Sequence, residues 1–376
     1  MRTLQELREQ LDRVDNEIVS LYQERMGLCR EVGEYKIGRG KKVFDKQREK
    51  EKLTAVAGKV STEFEKKGIT ELYEQLMAMS RKLQYHILNE NGTGGRLPFI
   101  EIDKLDVEGA KVVYQGVPGA YSEEALGRYF GDKLEKFAVQ TFRDAMEVIE
   151  EGAADFAVLP IENSSAGPVN DVYDLLVDFE HYIVGEIELP VKHALVGIEG
   201  AKLEEIEKVY SHPQALMQCA KSLDTHRDWK QISVANTAVA AKKILEDKDK
   251  RKAAICSEHA AGLYALQILK EQMNDNENNY TKFIIVTNQK VFLKNAKKIS
   301  ICFEVPHESG SLYRILSHFI YNDLNMTKIE SRPLAGSKWE YRFFVDFEGN
   351  LSDGAVKNAI RGMREEARNM KILGNY

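Results

Sequence analysis

Proline is missing from the first quarter of the sequence. All eight prolines of the 376 residues lie at position 98 or later. Because proline breaks the interior of a helix, a proline-free stretch of this length predicts an all-helical first segment.

Other absences limit the class of protein. No apolar run approaches the ~20 residues of a membrane span, and the first residues do not resemble a signal peptide. The four cysteines are far apart and form no CxxC pair, so we expect reduced thiols rather than disulfides or a zinc site. The net charge of −6 argues against a nucleic-acid or membrane partner. We therefore expect a soluble, cytoplasmic protein.

The first segment carries a long apolar seam with an arginine in it. Apolar residues spaced by three and four run from Leu4 to Tyr35, which predicts an amphipathic helix of roughly 50 Å. Two further helices of the same chain could not cover it, so a partner chain is implied. Arg25 occupies one seam position. It is either a snorkelling or specificity-setting side chain, or a cation that binds a ligand in a cavity.

Further polar residues could join Arg25. Lys36 lies three turns away on the same face, whereas Arg8 is roughly 25 Å away on another face and could meet Arg25 only from an antiparallel partner helix. Two pairs of polar residues then have helical i,i+4 spacing. They are Asp45 with Glu49 and Ser80 with Gln84.

In order and spacing, this set resembles the all-helical chorismate mutases. The resemblance implies a three-helix fold, an intertwined dimer and the Claisen rearrangement of chorismate to prephenate, which needs no metal or cofactor. It further implies that Arg25 and the partner's Arg8 clamp the two carboxylates, and that Lys36 and Gln84 donate to the ether oxygen. The catalytic set is then Arg8, Arg25, Lys36, Glu49 and Gln84, with Asp45, Arg48 and Ser80 binding substrate.

From Lys111 to about Asn288, short β-rich runs alternate with helical patterns, which predicts an α/β region with a mostly parallel sheet. Stretches of small polar residues at strand-to-helix junctions could bind anions through helix N-termini. Each stretch alone is more typical of a turn or N-cap. Their glycines fit neither a P-loop nor a dinucleotide motif.

As a set, the stretches resemble prephenate dehydratases. They include Gly116-x-Pro118-Gly119-x-Tyr121-Ser122, Pro160-Ile161-Glu162-Asn163-Ser164, Ser211-His212-Pro213-Gln214 with Gln218, and Thr281-Lys282-Phe283, where many members have Arg in place of Lys282. The resemblance implies two lobes like those of periplasmic binding proteins and the decarboxylative dehydration of prephenate to phenylpyruvate. Thr281 would be the catalytic hydroxyl, and Asn163, Ser211 and Gln218 would bind substrate. Because a threonine hydroxyl has no pKa near 7, we expect an assisting neighbour that the sequence does not identify.

The order βαββαβ of the last 80 residues is ferredoxin-like and resembles an ACT regulatory domain. The resemblance implies that phenylalanine binds here as a feedback inhibitor. The alternative is a dimerising module without a ligand. The allosteric residues would be Gly310, Ser311, Leu312, Glu330, Ser331, Arg332 and Pro333.

The sequence is thus identified as a member of the bifunctional chorismate mutase–prephenate dehydratases of phenylalanine biosynthesis. The expected domains are a mutase (1–90), a linker (91–109), a dehydratase (110–290) and an ACT domain (297–376). Chorismate, prephenate and phenylalanine are the expected ligands of a homodimer or higher homo-oligomer that uses no cofactor or metal. Two alternatives remain: an amino-acid-responsive regulator, for which no basic recognition helix stands out, and a chain with only one working activity.

Overall fold

The computed structural model describes residues 2–90, 97–131, 133–334, 336 and 340–376, without the side chains of residues 89 and 90. Residues 91–96 of the predicted linker therefore lie outside the described part. The chain forms two compact units. One comprises Met1–Phe99 and Lys297–Lys371, and the other comprises Ile100–Ala296 and Ile372–Tyr376.

The first unit begins with three helices, α1 (Leu4–Gly38), α2 (Lys46–Ala57) and α3 (Glu63–Glu90). They confirm the helical segment that the missing prolines predict. Helix α1 is unbroken over 35 residues and starts with a capping box between Thr3 and Glu6. Along its seam, Leu4, Leu11 and Leu21 remain 62–64% exposed, so the chain does not cover the seam itself.

The second unit alternates strands and helices. In chain order, its elements are β1 (Ile100–Ile102), β2 (Lys111–Gln115), α4 (Tyr121–Phe130), β3 (Glu135–Val139), α5 (Phe142–Glu150), β4 (Phe156–Asn163), β5 (Gly167–Pro168), α6 (Asn170–Asp178), β6 (Tyr182–Pro190), β7 (His193–Gly197), β8 (Lys208–Ser211), α7 (Pro213–Gln218), α8 (Ala220–Asp224), β9 (Lys230–Ser233), α9 (Thr237–Asp247), β10 (Lys252–Ser257), α10 (Glu258–Leu263), β11 (Gln267–Lys270), β12 (Tyr280–Thr287) and β13 (Val291–Leu293).

These strands form two α/β lobes. One sheet has the order β3-β2-β4-β12-β6 and the other β9-β8-β10-β7-β11, each over its own apolar core. Strand β1 pairs in parallel with β13, so the predicted linker 91–109 contains a short strand of this unit. Its apolar residues Ile100 and Ile102 alternate along the strand, a pattern too short to predict it.

The expectation of a mostly parallel sheet is confirmed with one exception in each sheet, because four of the five strands run in the same direction and one strand runs against them. Strand β12 runs antiparallel to β4 and to β6, and β7 runs antiparallel to β10 and to β11. Parallel neighbours need a crossover connection within their own sheet. The chain instead passes directly from β6 in one sheet to β7 in the other and returns through β11 to β12. These passages place antiparallel strands in both sheets.

The C-terminal part of the chain has the predicted order βαββαβ. Its elements are β14 (Lys298–Glu304), α11 (Ser311–Tyr321), β15 (Met326–Pro333), β16 (Tyr341–Glu348), α12 (Gly354–Glu366) and β17 (Arg368–Asn375). The strand order is β15-β16-β14-β17, which places β15 at one edge. We call residues 298–371 the C-terminal module.

None of the helices in the described part of the chain is both long and apolar enough to cross a membrane. No group of three or more His, Cys, Asp or Glu side chains in that part could hold a metal ion. The four cysteines are free thiols, and Cys219, Cys256 and Cys302 are buried.

Candidate active sites

Arg25 is held at the interface of α1 and α3. Its Nη1 donates to Ser80 Oγ at 2.5 Å and to the Leu76 carbonyl at 3.1 Å. Ser80 is buried and donates its own proton to the same Leu76 carbonyl. The guanidinium is therefore fixed by α3, an arrangement that differs from a snorkelling side chain.

Gln84 lies one turn after Ser80 on α3 and is also buried. Among the described residues, its side-chain oxygen has no hydrogen-bond partner. Gly33 of α1 makes room for it, because a Cβ at Gly33 would lie 3.0 Å from Gln84 Cγ. A buried amide with unused hydrogen-bonding capacity is available to a polar ligand.

The other polar residues predicted for this site have structural contacts. Lys36 Nζ donates to the Val43 carbonyl at 2.6 Å, and Asp45 caps α2 by accepting from the Arg48 backbone N–H. The side chain of Arg48 is 75% exposed. Arg8 is exposed and roughly 25 Å from Arg25 along α1, so one chain does not bring these two arginines together.

Glu49 is bound by Arg81, which was not among the site residues predicted from the sequence. Arg81 is 6% exposed, and its Nη1 donates to both carboxylate oxygens of Glu49, at 2.5 and 2.6 Å. Its Nη2 donates to Glu366 of the C-terminal module at 3.0 Å, and His318 lies 3.1 Å from the same Glu366 oxygen. Burial acts to lower the pKa of Arg81, but Glu366 and Glu49 outweigh it and raise that pKa.

The second candidate site is a cavity of about 450 Å³ in the α/β unit. Residues from both sheets line it, including Asn163 and Thr281 from one and His193 from the other, together with Gln218 at the end of α7. The structure therefore brings three of the four residues predicted for the dehydratase site to one cavity.

Thr281 and Asn163 face each other across strands β12 and β4. Asn163 Nδ2 lies 2.9 Å from Thr281 Oγ1 and 2.8 Å from Asn279 Oδ1. Asn163 Oδ1 accepts the backbone N–H groups of Ser165 and Ala166, which fixes the amide orientation. Asn163 thus donates to the threonine hydroxyl, and an accepted hydrogen bond polarises a hydroxyl for donation.

Ser211 is the exception, and its predicted contact with substrate is not supported. The side chain is fully buried, and its hydroxyl donates to the Ile255 carbonyl at 2.7 Å. Ser211 is the last residue of β8, and the following residue, His212, caps α7 and lines the cavity. A serine before a helix is a typical N-cap in sequence, but here the cap lies one residue later.

The residues predicted to bind an effector occupy two places in the C-terminal module. Gly310, with φ of 74°, caps the start of α11, and Ser311 lines a cavity of about 400 Å³ beside Tyr341. Glu330–Pro333 lie on the edge strand β15. Strand β16 lies between β15 and β14, the strand that precedes the turn at Gly310.

Comparisons with known proteins cover both sites. Residues 7–85 match the family profile of chorismate mutase type II, and residues 112–291 match that of prephenate dehydratase. The bifunctional chorismate mutase/prephenate dehydratase of Escherichia coli (strain K12) is 32% identical, over 98% of this chain and 95% of its own length. That of Aquifex aeolicus (strain VF5) is also 32% identical, over 100% of this chain and 98% of its own.

A solved structure agrees with the second match. The prephenate dehydratase from Arthrobacter aurescens, determined in complex with L-Phe, is 30% identical with a TM-score of 0.66. The alignment covers 71% of this chain and 89% of that one. The chain belongs to the family of bifunctional chorismate mutase/prephenate dehydratases.

Proposed function

We propose a division of labour among the residues of this bifunctional enzyme of phenylalanine biosynthesis. The three helices rearrange chorismate to prephenate, the α/β unit converts prephenate to phenylpyruvate, and the C-terminal module senses phenylalanine. The observation that carries the proposal is the presence of two separate polar sites. Arg25 is anchored by Ser80 in the range that matches a mutase, and Thr281 is polarised by Asn163 in the range that matches a dehydratase.

The mutase reaction needs a preorganised site more than a reactive group. A pericyclic rearrangement is accelerated by holding the reactive conformer and stabilising charge on the breaking C–O bond. Arg25 is rigidly placed to bind a carboxylate in bidentate geometry. Gln84 and Lys36 would donate to the ether oxygen, since an ammonium has three donors and the Val43 carbonyl occupies one. Asp45 and Arg48 would line the opening of the site.

The second arginine of the carboxylate clamp would come from a partner subunit. The exposed apolar seam of α1 supports an intertwined homodimer, because a continuous apolar stripe of this length needs a cover. In an antiparallel pairing of α1 helices, the partner's Arg8 would reach the site of Arg25. The oligomer is then part of the active site.

Mixing two inactive variants tests this arrangement. Arg8→Ala and Arg25→Ala should each lose mutase activity. After subunit exchange at equal amounts, half of the dimers are mixed, and each mixed dimer has one intact site. Mutase activity should therefore recover to about a quarter of the wild-type value. No recovery, with exchange verified by mass spectrometry, would mean that both arginines act within one chain.

In the dehydratase site, Thr281 would protonate the departing ring hydroxyl and recover its proton from solvent. The C–C bond to the ring carboxylate breaks, its electron pair enters the ring, and CO₂ and water leave as the ring becomes aromatic. Asn163 supports this step by donating to Thr281 Oγ1. Gln218 would bind a substrate carboxylate. Two α/β lobes around one cavity fit the periplasmic-binding-protein-like fold that the sequence resemblance implies.

Separating the two steps tests the overall proposal. Chorismate and prephenate are supplied in turn, and phenylpyruvate is followed. Arg25→Ala should remove the first step and spare the second, whereas Thr281→Ala should do the reverse. Loss of both steps in both variants would contradict the assignment and indicate general misfolding, which circular dichroism would show. Arg13→Ala, which removes an exposed guanidinium of the same helix, is the control for Arg25.

The C-terminal module would be an ACT domain that binds phenylalanine and reduces dehydratase activity. The βαββαβ order and the L-Phe complex of the Arthrobacter aurescens enzyme support this proposal. Two modules would combine Gly310, Ser311 and Leu312 of one chain with Glu330–Pro333 of the other. Gly310→Ala strains a left-handed backbone and should weaken phenylalanine binding, measured by calorimetry on the full chain. No heat of phenylalanine binding to the wild-type chain would contradict it.

We also propose a cytoplasmic location. The four free cysteines support it, because thiols stay reduced in that compartment. Cell fractionation would test the location, and recovery from an extracellular fraction would contradict it.

A further inference from the structure

The dehydratase cavity contains a buried histidine that neither sequence motif nor mechanism uses. His193 is the first residue of β7, is 3% exposed and lines the same cavity as Gln218 and Thr281. Its backbone N–H donates to Asn274 Oδ1 at 2.6 Å, which fixes the start of the strand. Because buried polar atoms are nearly always hydrogen-bonded, we expect a partner for each of the two ring nitrogens.

Both ring nitrogens of His193 have a side-chain neighbour. Nε2 lies 3.1 Å from Gln218 Oε1, and Nδ1 lies 3.1 Å from the Tyr121 hydroxyl. Because an amide oxygen only accepts, Nε2 must carry a proton. Nδ1 is then the unprotonated nitrogen, and the Tyr121 hydroxyl beside it also lies 3.0 Å from the Lys192 carbonyl. Burial lowers the pKa of His193 to about 4, so the ring is neutral at neutral pH.

This tautomer has a consequence for Gln218. Its amide oxygen is held by His193, so its NH₂ group is directed away from the ring. Prephenate is a dianion, and only the NH₂ group of a glutamine can donate to a carboxylate. With the amide reversed, the oxygen would face the anion and repel it. The orientation of one amide therefore decides whether Gln218 attracts or repels the substrate.

We propose that His193 is a positioning residue that holds Gln218 with its amide NH₂ towards the substrate. The inference rests on the proposed role of Gln218 as a donor to a prephenate carboxylate. It assigns His193 a function in substrate affinity through hydrogen-bond orientation, with no proton transfer to or from the ring. Tyr121 completes the chain by fixing the ring itself.

Two neutral replacements of His193 separate positioning from simple filling of space. In glutamine, the amide nitrogen is three bonds from Cβ, as Nε2 is in histidine, so His193→Gln can still donate to Gln218. In asparagine, the nitrogen is two bonds from Cβ, as Nδ1 is, so His193→Asn cannot reach it. We expect His193→Asn to raise the dehydratase KM for prephenate roughly 10- to 100-fold with a smaller change in kcat. His193→Gln should retain most of the affinity.

A double-mutant cycle gives the decisive measurement. Because His193 acts through Gln218, adding His193→Asn to a Gln218→Ala chain should change KM by less than about 2-fold. Circular dichroism and thermal melting of the same chains report whether they are folded. A ¹⁵N spectrum of the ring should show a proton on Nε2 in the wild-type protein.

The possible outcomes distinguish a failure of the positioning role of His193 from a failure of the proposed role of Gln218. If Gln218→Ala leaves KM unchanged, the proposed role of Gln218 fails, and the positioning role fails with it. If Gln218→Ala raises KM but His193→Asn and His193→Gln behave alike, or the two substitutions are additive, His193 does not act through Gln218. A ring protonated at Nδ1 alone would also overturn the proposal.

Discussion

At the scale of single residues, the proposed dehydratase chemistry depends on the direction of one hydrogen bond. Asn163 donates to Thr281 Oγ1, which leaves the threonine proton for the departing hydroxyl. A carboxylate in the same place could only accept, so it would capture that proton. In the proposed mechanism, the amide nitrogen of Asn163 is therefore as necessary as the hydroxyl that it polarises.

Asn163→Asp tests this dependence with a nearly isosteric change. We expect dehydratase kcat at neutral pH to fall about 100-fold or more, because the carboxylate accepts a hydrogen bond from the threonine hydroxyl and holds its proton away from the departing group. Asn276→Asp is the control, since the side-chain oxygen of Asn276 accepts the Asn278 N–H, and a carboxylate can do the same. An Asn163→Asp enzyme with unchanged kcat would remove Asn163 from the mechanism.

Lys82 makes the stability of the first unit depend on pH. Its Nζ lies over the Tyr321 ring and near the Ser317 carbonyl. Burial and the neighbouring Arg81 lower the pKa of Lys82 from 10.5 to about 7. Between these values the folded chain binds fewer protons than the unfolded chain, so the free energy of unfolding rises with pH over that window.

Lys82→Met should flatten this rise. By scanning calorimetry, the stabilisation by the substitution should be largest near pH 7 and should shrink towards pH 10. Lys59→Met, at an exposed position, serves as the control. A difference between Lys82→Met and wild type that is the same at all pH values would contradict the lowered pKa.

The residues that sequence could predict differ in kind from those that it could not. Arg25, Gln84 and Thr281 could be selected from their order and spacing, because their signals are local. His193 and Arg81 could not, since their partners lie 25 and 32 residues away in sequence and meet them only after folding. For His193, the sequence offered one indication, which is that this histidine begins the otherwise apolar run His193–Gly197.

At the scale of elements, the strongest prediction concerned α1. The missing prolines and the apolar seam predict its length. The structure confirms this prediction, because α1 begins at Leu4 and ends at Gly38, one turn beyond Tyr35. Strand direction could not be predicted in the same way. Whether β12 runs parallel or antiparallel to β4 depends on where the chain leaves and re-enters a sheet, which no local pattern records.

Two glycines inside α1 allow a matched test of its packing. At Gly27 a Cβ meets nothing within 4 Å, whereas at Gly33 it would lie 3.0 Å from Gln84 Cγ and 3.4 Å from Ile87 Cδ1. Alanine should stabilise a helix over glycine by about 1 kcal/mol. We expect Gly27→Ala to raise the melting temperature and keep mutase activity.

Gly33→Ala should behave differently, because the added methyl group displaces the buried side chain of Gln84. We expect mutase kcat/KM to fall about 10-fold or more, since small displacements of an oriented donor are costly. The helical circular dichroism and the melting temperature of the same chain report its folding. Equal mutase activity in Gly27→Ala and Gly33→Ala would mean that Gln84 tolerates the shift.

At the scale of the whole molecule, the mutase helices and the C-terminal module belong to one compact unit, although more than 200 residues separate them in sequence. Arg81 is the polar link, because it binds Glu49 on α2 and Glu366 on α12 with the same guanidinium. Burial raises the pKa of Glu366, but His318 and Arg81 outweigh it and keep that pKa below its ordinary value. The module is therefore electrostatically coupled to a residue of the predicted mutase site.

Glu366→Ala should consequently impair the mutase from outside the matched mutase range. Without Glu366, the buried Arg81 loses one of its two carboxylate partners, which costs about 1–3 kcal/mol and allows the guanidinium to shift together with Glu49. We expect lower mutase kcat and a lower melting temperature, with dehydratase activity retained. Glu348→Ala removes an exposed carboxylate of the same module and should change neither. If Glu366→Ala lowers the melting temperature but leaves mutase kcat unchanged, Arg81 serves stability alone, and Glu49 keeps its position without the module.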